Sequence, residues 1–162
     1  MSALDPENLI IRLCIAGMEA EQQGCFGEAK VLYEQAWRQS TDDVERCIAA
    51  HHVARQQDTL DKALWWNQLA LHRADAARDT RVHALYPSLH LGLGKAFEDL
   101  EQVAAAHHHY ERARASLTQI DDPAYRKIVE DGVIRSLERT SSDQLGSTEI
   151  NLNQSTRGTP HN

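Results

Sequence analysis

Residues 24–37, GCFGEAKVLYEQAW, constrain this chain more than any other stretch. They read as a glycine turn followed by a helix whose small residues recur at packing intervals. Two helices approach closely only where small side chains let the backbones meet, and larger residues fill the gaps alongside. Gly24 closes a first helix, Ala29 and Ala36 sit at close contacts, and Tyr33 fills between them. Gly17, seven residues before Gly24, is another small residue where the partner helix must approach. Adding 34 to Ala29 reaches Ala63, with Ala70 seven residues further on and Asp58 in the turn. A third copy reads Gly94, Phe97, Ala106, Tyr110 and Ala113, at the spacings of the first. A period near 34 predicts stacked units, because one helix pair cannot bury its apolar face alone.

This pattern resembles the tetratricopeptide repeat (TPR) family over roughly residues 7–118, and the chain is similar to stand-alone bacterial TPR proteins of unknown role. The resemblance implies an all-α, right-handed α-solenoid of about three TPR-like helix pairs. It also implies an adaptor or regulatory module that holds a protein or peptide in a concave groove. Residues 123–139 read as a terminal helix covering the open end, with Tyr125, Ile128, Val129, Val133 and Leu137 as its apolar stripe. The helical repeat domain is therefore expected over 1–140. From Ser141 the composition turns to Ser, Thr, Asn, Gln and Gly, so 141–162 read as a disordered tail.

Composition narrows the function classes. With 162 residues and 41% hydrophobic content, the chain amounts to one domain with a modest core. A net charge of −7 argues against nucleic acid, which calls for a basic face. There is no run of 18 apolar residues to span a membrane. The N-terminus carries Asp5 and Glu7 where a signal peptide would carry basic residues. Cys14, Cys25 and Cys47 are odd in number and fall in or beside helices, which suggests reduced thiols and a cytoplasmic setting.

Local signals place the elements. Asp5, Pro6 and Glu7 predict a helix start with Asp5 as cap, running to about Gln23. Further helices are expected at about 27–39 and 43–57, the latter presenting Cys47, Ala50, His51 and Ala54 to the core. A fourth begins near Thr59 or Leu60. Ala63 to Ala106 spans 43 residues, and the excess in 73–83 is helix-favouring, which predicts longer fourth and fifth helices. Pro87 either begins a new helix or kinks one. The sixth helix covers about 103–118.

In the resembling family, the first helices of successive units line the groove. Carried over, that face takes Ile11, Cys14, Ile15, Met18, Glu21 and Gln22 from helix one. Helix three adds Glu45, Ile48, Ala49, His52, Arg55 and Gln56, and helix five adds Ser88, Leu91, Lys95, Glu98 and Asp99. The expected binding set is Met18, Glu21, Glu45, Ile48, His52, Arg55, Lys95 and Glu98. Only Arg55 and Lys95 are basic there, too few for a carboxylate clamp.

Nine histidines invite a metal reading, and the spacing resists it. Cys47 and His51 both fall at packing positions, His52 points about 100° away, and His107, His108 and His109 fan around one helix. No metal site is expected. Asn67 stands where the other units have Tyr33 and Tyr110, and a polar residue there needs a partner such as His51 or His90. A pocket of His52, Arg55, Asn67 and His90 opening to the groove is the alternative reading. It would make the chain a small-ligand sensor or an unrecognised enzyme, since histidine titrates near neutrality. No nucleophile–base pair or phosphate-binding glycine loop is present, so no catalytic residues and no cofactor are expected. The expected partner is a protein or peptide, and a homodimer through the last helix is compatible with the sequence.

Overall fold

Side-chain caps divide the chain into its helices. Asn8 Oδ1 accepts the Ile10 and Ile11 amides at 2.8 and 3.3 Å and starts α1 (Leu9–Gln22). Asp42 accepts the Glu45 amide at 2.8 Å and starts α3 (Asp43–Val53). Thr59 caps α4 (Leu60–Ala77), and Asp122 accepts the Ala124 amide at 2.8 Å to start α7 (Pro123–Ser155). Between them lie α2 (Phe26–Gln39), α5 (Tyr86–Asp99) and α6 (Val103–Ser116). The computed structural model describes residues 5–155, which contain helices and short 3-10 turns and no strand. No helix among them is long and apolar enough to cross a membrane.

Three boundaries differ from the sequence reading. Asp5 does not cap α1. Its carbonyl accepts the Asn8 amide at 3.0 Å in a turn, and Asn8 takes over the capping. Asn8 Nδ2 also donates to Glu45 Oε1 at 2.9 Å, so the cap ties α1 to α3. The extra residues lengthen α4 but not α5. Arg78, in the left-handed region at φ 47, ends α4, and Thr80–Leu85 form a 3-10 turn. Pro87 sits in the first turn of α5, where its missing N–H has no helical acceptor to disappoint. Finally, α7 continues to Ser155 instead of stopping near Arg139. Between Ser141 and Ser155 there is no proline to remove a backbone donor. The rest of the expected tail, 156–162, lies outside the described residues.

Successive helices pack on one another, most extensively α1 on α2, α3 on α4 and α5 on α6. Ala29, Ala36, Ala106 and Ala113 are fully buried at these contacts, and Tyr33 and Tyr110 are buried beside them. Each ring lies flat against a glycine of the preceding helix. A β-carbon on Gly17 would stand 2.2 Å from Tyr33 Cε1, and one on Gly94 would stand 2.3 Å from Tyr110 Cε1. The turns repeat too. Gly24 (φ 76) and Glu101 (φ 58) each close a helix, with the Cys25 amide donating to Ala20 O at 2.8 Å and the Gln102 amide to Phe97 O at 2.9 Å.

The apolar interior falls into three clusters, the smallest being Ala20, Ala29, Tyr33 and Val53 between α1, α2 and α3. The largest joins α1 to α4 and reaches Leu89 of α5, with Ile10, Cys14, Val44, Cys47, Ile48 and Ala70 at its centre and Trp37 and Trp66 packed beside them. The other joins α6 and α7 through Tyr110, Leu117, Ile120, Val129 and Val133, with Leu91 and Phe97 from α5 against it. Polar side chains, among them His51, Asn67 and His90, occupy the ground between.

Candidate functional site

The glycine and tyrosine of each flanking unit stand sixteen residues apart, as Gly17/Tyr33 and Gly94/Tyr110. The same interval in the middle unit gives His51/Asn67. Bulk has been moved from the second helix to the first, and an aromatic plug has become a polar pair. One turn after each glycine comes a carboxylate, Glu21 or Glu98, and the following element ties it down. Arg55 gives Glu21 two hydrogen bonds at 3.2 and 2.5 Å, and Gln56 adds a third at 2.6 Å. Arg139 grips Glu98 at 2.7 and 2.9 Å, and Tyr110 donates its hydroxyl to the same carboxylate at 2.5 Å. Those bonds, led by Arg139, hold the Glu98 carboxyl below its usual range. In the middle unit the corresponding position is Arg55 itself, which reaches back to Glu21. Among the described residues no arginine straps α4 to α5, and the tie there is Tyr86 Oη donating to Asp75 Oδ1 at 2.7 Å.

A cleft of about 1260 Å3 opens there. One wall carries Phe26 and Leu60 together with Arg55 and Asp58. The other is α7, whose Tyr125, Ile128, Gly132, Arg135 and Arg139 face the opening. Leu91, Gly92 and Lys95 of α5 lie between, with Asn67 and His51. Phe26 is 58% exposed and Ile128 68%, a large apolar area left open to solvent. The carboxylates that line the cleft are already paired, Glu21 with Arg55, Asp99 with Lys95 and Asp58 with Lys30. Arg135 makes no ion pair among the described residues, so the cleft presents an uncompensated cation in a chain of net charge −7.

Asn67 and His51 carry the site's uncommitted polar atoms. Asn67 is 8% exposed, and its Nδ2 donates to Ala63 O at 2.9 Å, which leaves Oδ1 without a donor. A β-carbon on Gly92 would meet that oxygen at 2.7 Å and His51 Cε1 at 3.3 Å. Only glycine leaves the amide uncovered. His51 Nδ1 is buried with no hydrogen-bond partner. Burial, then the Arg55 charge, pushes the His51 pKa down to about 4, so the ring is neutral at pH 7. A buried unmet nitrogen such as His51 Nδ1 costs about 1–3 kcal/mol relative to its solvated state.

The expected binding set divides. Glu21, Arg55 and Lys95 line the cleft, and so does Asn67 of the alternative pocket. Met18 packs against the cluster of Ala20, Ala29, Tyr33 and Val53, and Ile48 is 8% exposed in the core. Glu45 is a tie between helices. Burial alone would raise its carboxyl, but bonds from Thr41 and Asn8 carry it below its usual range. Glu98 is engaged by Arg139 and Tyr110 outside the cleft. His52 stacks on Tyr33 with centroids 5.2 Å apart. His90 Nδ1 lies 3.0 Å from His109 Nδ1, with Phe97 stacked on the far ring. The four members of the alternative pocket are therefore not brought together.

Sequence reasoning missed the α7 wall, because that helix was read only for its buried stripe. Val129, Val133 and Leu137 are indeed buried, but Tyr125 and Ile128 turn to the cleft. Tyr125, Ile128, Gly132, Arg135 and Arg139, three or four residues apart, were the signal of a second face.

Chemically the cleft offers contact and hydrogen bonding. Among the described residues no three His, Cys, Asp or Glu side chains gather as metal ligands. Burial pushes the Cys14 and Cys47 thiols up to about 12, which removes their nucleophilicity at neutral pH. Comparison with protein-family models, with curated proteins and with solved structures gives no match to this chain.

Proposed function

We propose that this chain is a TPR-like helical scaffold that binds a protein or peptide segment in the cleft between its middle unit and α7. The observation that carries the reading is the cleft itself: exposed apolar side chains on both walls, with Arg135 beside them making no ion pair among the described residues. A segment with an apolar side chain and an acidic one complements that surface, burying Ile128 and Tyr125 while its carboxylate meets the guanidinium. The paired charges around the rim fix register and contribute little affinity. The occupant is held by contact and acts as a partner; the cleft supplies no reaction.

Selection from a displayed random-peptide library on the immobilised protein tests this. The expected winners carry Asp or Glu near Leu, Ile or Phe, compete with one another, and lose binding to an Ile128→Glu variant. Winners that bind this variant as well as the parent would put the interaction surface elsewhere.

A further inference from the structure

The flanking units plug the space above Gly17 and Gly94 with a tyrosine, whereas the middle unit leaves an amide oxygen there. The orientation of Asn67 is forced, because its NH2 must be the group that meets the Ala63 carbonyl at 2.9 Å. Its Oδ1 then has no donor among the described residues, at a residue only 8% exposed whose open side is the cleft. Gly92 keeps it open, since any side chain on α5 at that point would strike the oxygen. An asparagine serving packing alone would have both ends of its amide satisfied. This one has a protein partner at one end only and turns the other to the cleft.

We propose that Asn67 Oδ1 is a specificity subsite, accepting a hydrogen bond from one backbone N–H of a peptide that lies extended along the cleft. The neutral His51 ring walls the subsite, and Arg135 receives an acidic side chain of the same peptide. The extended form follows from the chemistry of the acceptor. A helical ligand has its backbone N–H groups committed internally beyond the first turn, whereas an extended one presents them at intervals. Charge complementarity selects the acidic character, because the cleft's own carboxylates are already paired. This inference rests on the peptide-binding reading above and adds the atom that reads the backbone.

The test uses the tightest peptide from the library selection, titrated by calorimetry against the full-length protein. Asn67→Leu is expected to weaken binding about tenfold, the loss of one buried hydrogen bond. Methylating the peptide nitrogens one at a time is expected to reveal a single position that costs the parent protein as much and costs Asn67→Leu nothing. His51→Gly/Asn67→Tyr rebuilds the flanking-unit pair, plugs the floor, and is expected to abolish binding while the protein stays folded by circular dichroism. If that double variant or Asn67→Leu, folded, binds the peptide as the parent does, the subsite is wrong while the cleft reading survives. If no peptide is selected at all, the cleft reading fails and the subsite falls with it.

Discussion

The flanking units and the middle unit solve the same packing problem in opposite ways. At Gly17/Tyr33 and Gly94/Tyr110 a ring closes over a bare backbone, and a carboxylate is strapped down by an arginine from the next element. At His51/Asn67 the bulk is reversed, the fit is polar, and the residue one turn on is Arg55 in place of a carboxylate. On the peptide-binding reading proposed above, closure and recognition compete for the same position. A repeat that seals its interior with tyrosine has nothing left to offer a ligand, and one that gives up the tyrosine gains an open floor at a cost in stability.

The comparison breaks if the flanking plugs prove expendable. Tyr110→Ala is expected to cost about 4 kcal/mol, through lost burial and the cavity beneath it, measured by urea unfolding. Asn67→Ala should cost about 1 kcal/mol or less, since a half-satisfied amide contributes little. Equal losses at the two sites would erase the distinction.

Acid sharpens the contrast. The His51 and His90 pKa values are depressed to about 4, first by burial, against about 6.5 in the unfolded chain. The neutral rings belong to the native state, so their contribution is complete above pH 6.5 and is lost as pH falls towards 4. At pH 5 this costs about 2 kcal/mol relative to pH 7 at the fully desolvated His51, and less at His90, which is paired with His109. His52, also depressed by burial, adds to the loss. His51→Gly/Asn67→Tyr should remove the His51 share, seen as a smaller shift of the urea midpoint between pH 7 and pH 5.

Smaller effects separate the turns from the cleft surface. Gly24 and Glu101 hold the same left-handed turn, but only glycine does so without strain. Glu101→Gly is expected to stabilise the protein by about 0.5–1 kcal/mol, and a decrease in thermal midpoint would contradict this. Ile128→Ser, at a side chain 68% exposed, should change stability by less than about 0.5 kcal/mol while peptide binding is lost.

What the sequence made legible was what periodicity controls. Ala29, Ala36, Ala106, Ala113, Tyr33 and Tyr110 are buried where their spacing put them. Features set by partners distant in sequence stayed hidden. Asn8 displaces Asp5 as the cap while also meeting Glu45 on α3, a contact no local pattern reveals. Ile48 and His52 were assigned to an open face by carrying over the family resemblance, and Ile48 is core while His52 is claimed by the Tyr33 ring. Arg135 and Arg139 lie outside the repeat, so a search guided by its period passed over them. Asn67 was noticed as an oddity among tyrosines, but its meaning depends on Gly92, which has no position in the pattern.

The straps have a direction. Glu21 is held by Arg55 and Glu98 by Arg139, so each flanking unit is locked by residues that come later in the chain. On a ribosome, the first helix pair emerges unlocked and waits for the end of α3 to be made. The third waits for α7. A nascent chain halted before residue 139 would display a complete-looking repeat with its last fastening still unsynthesised, and quality control would meet the protein in that state during every round of translation.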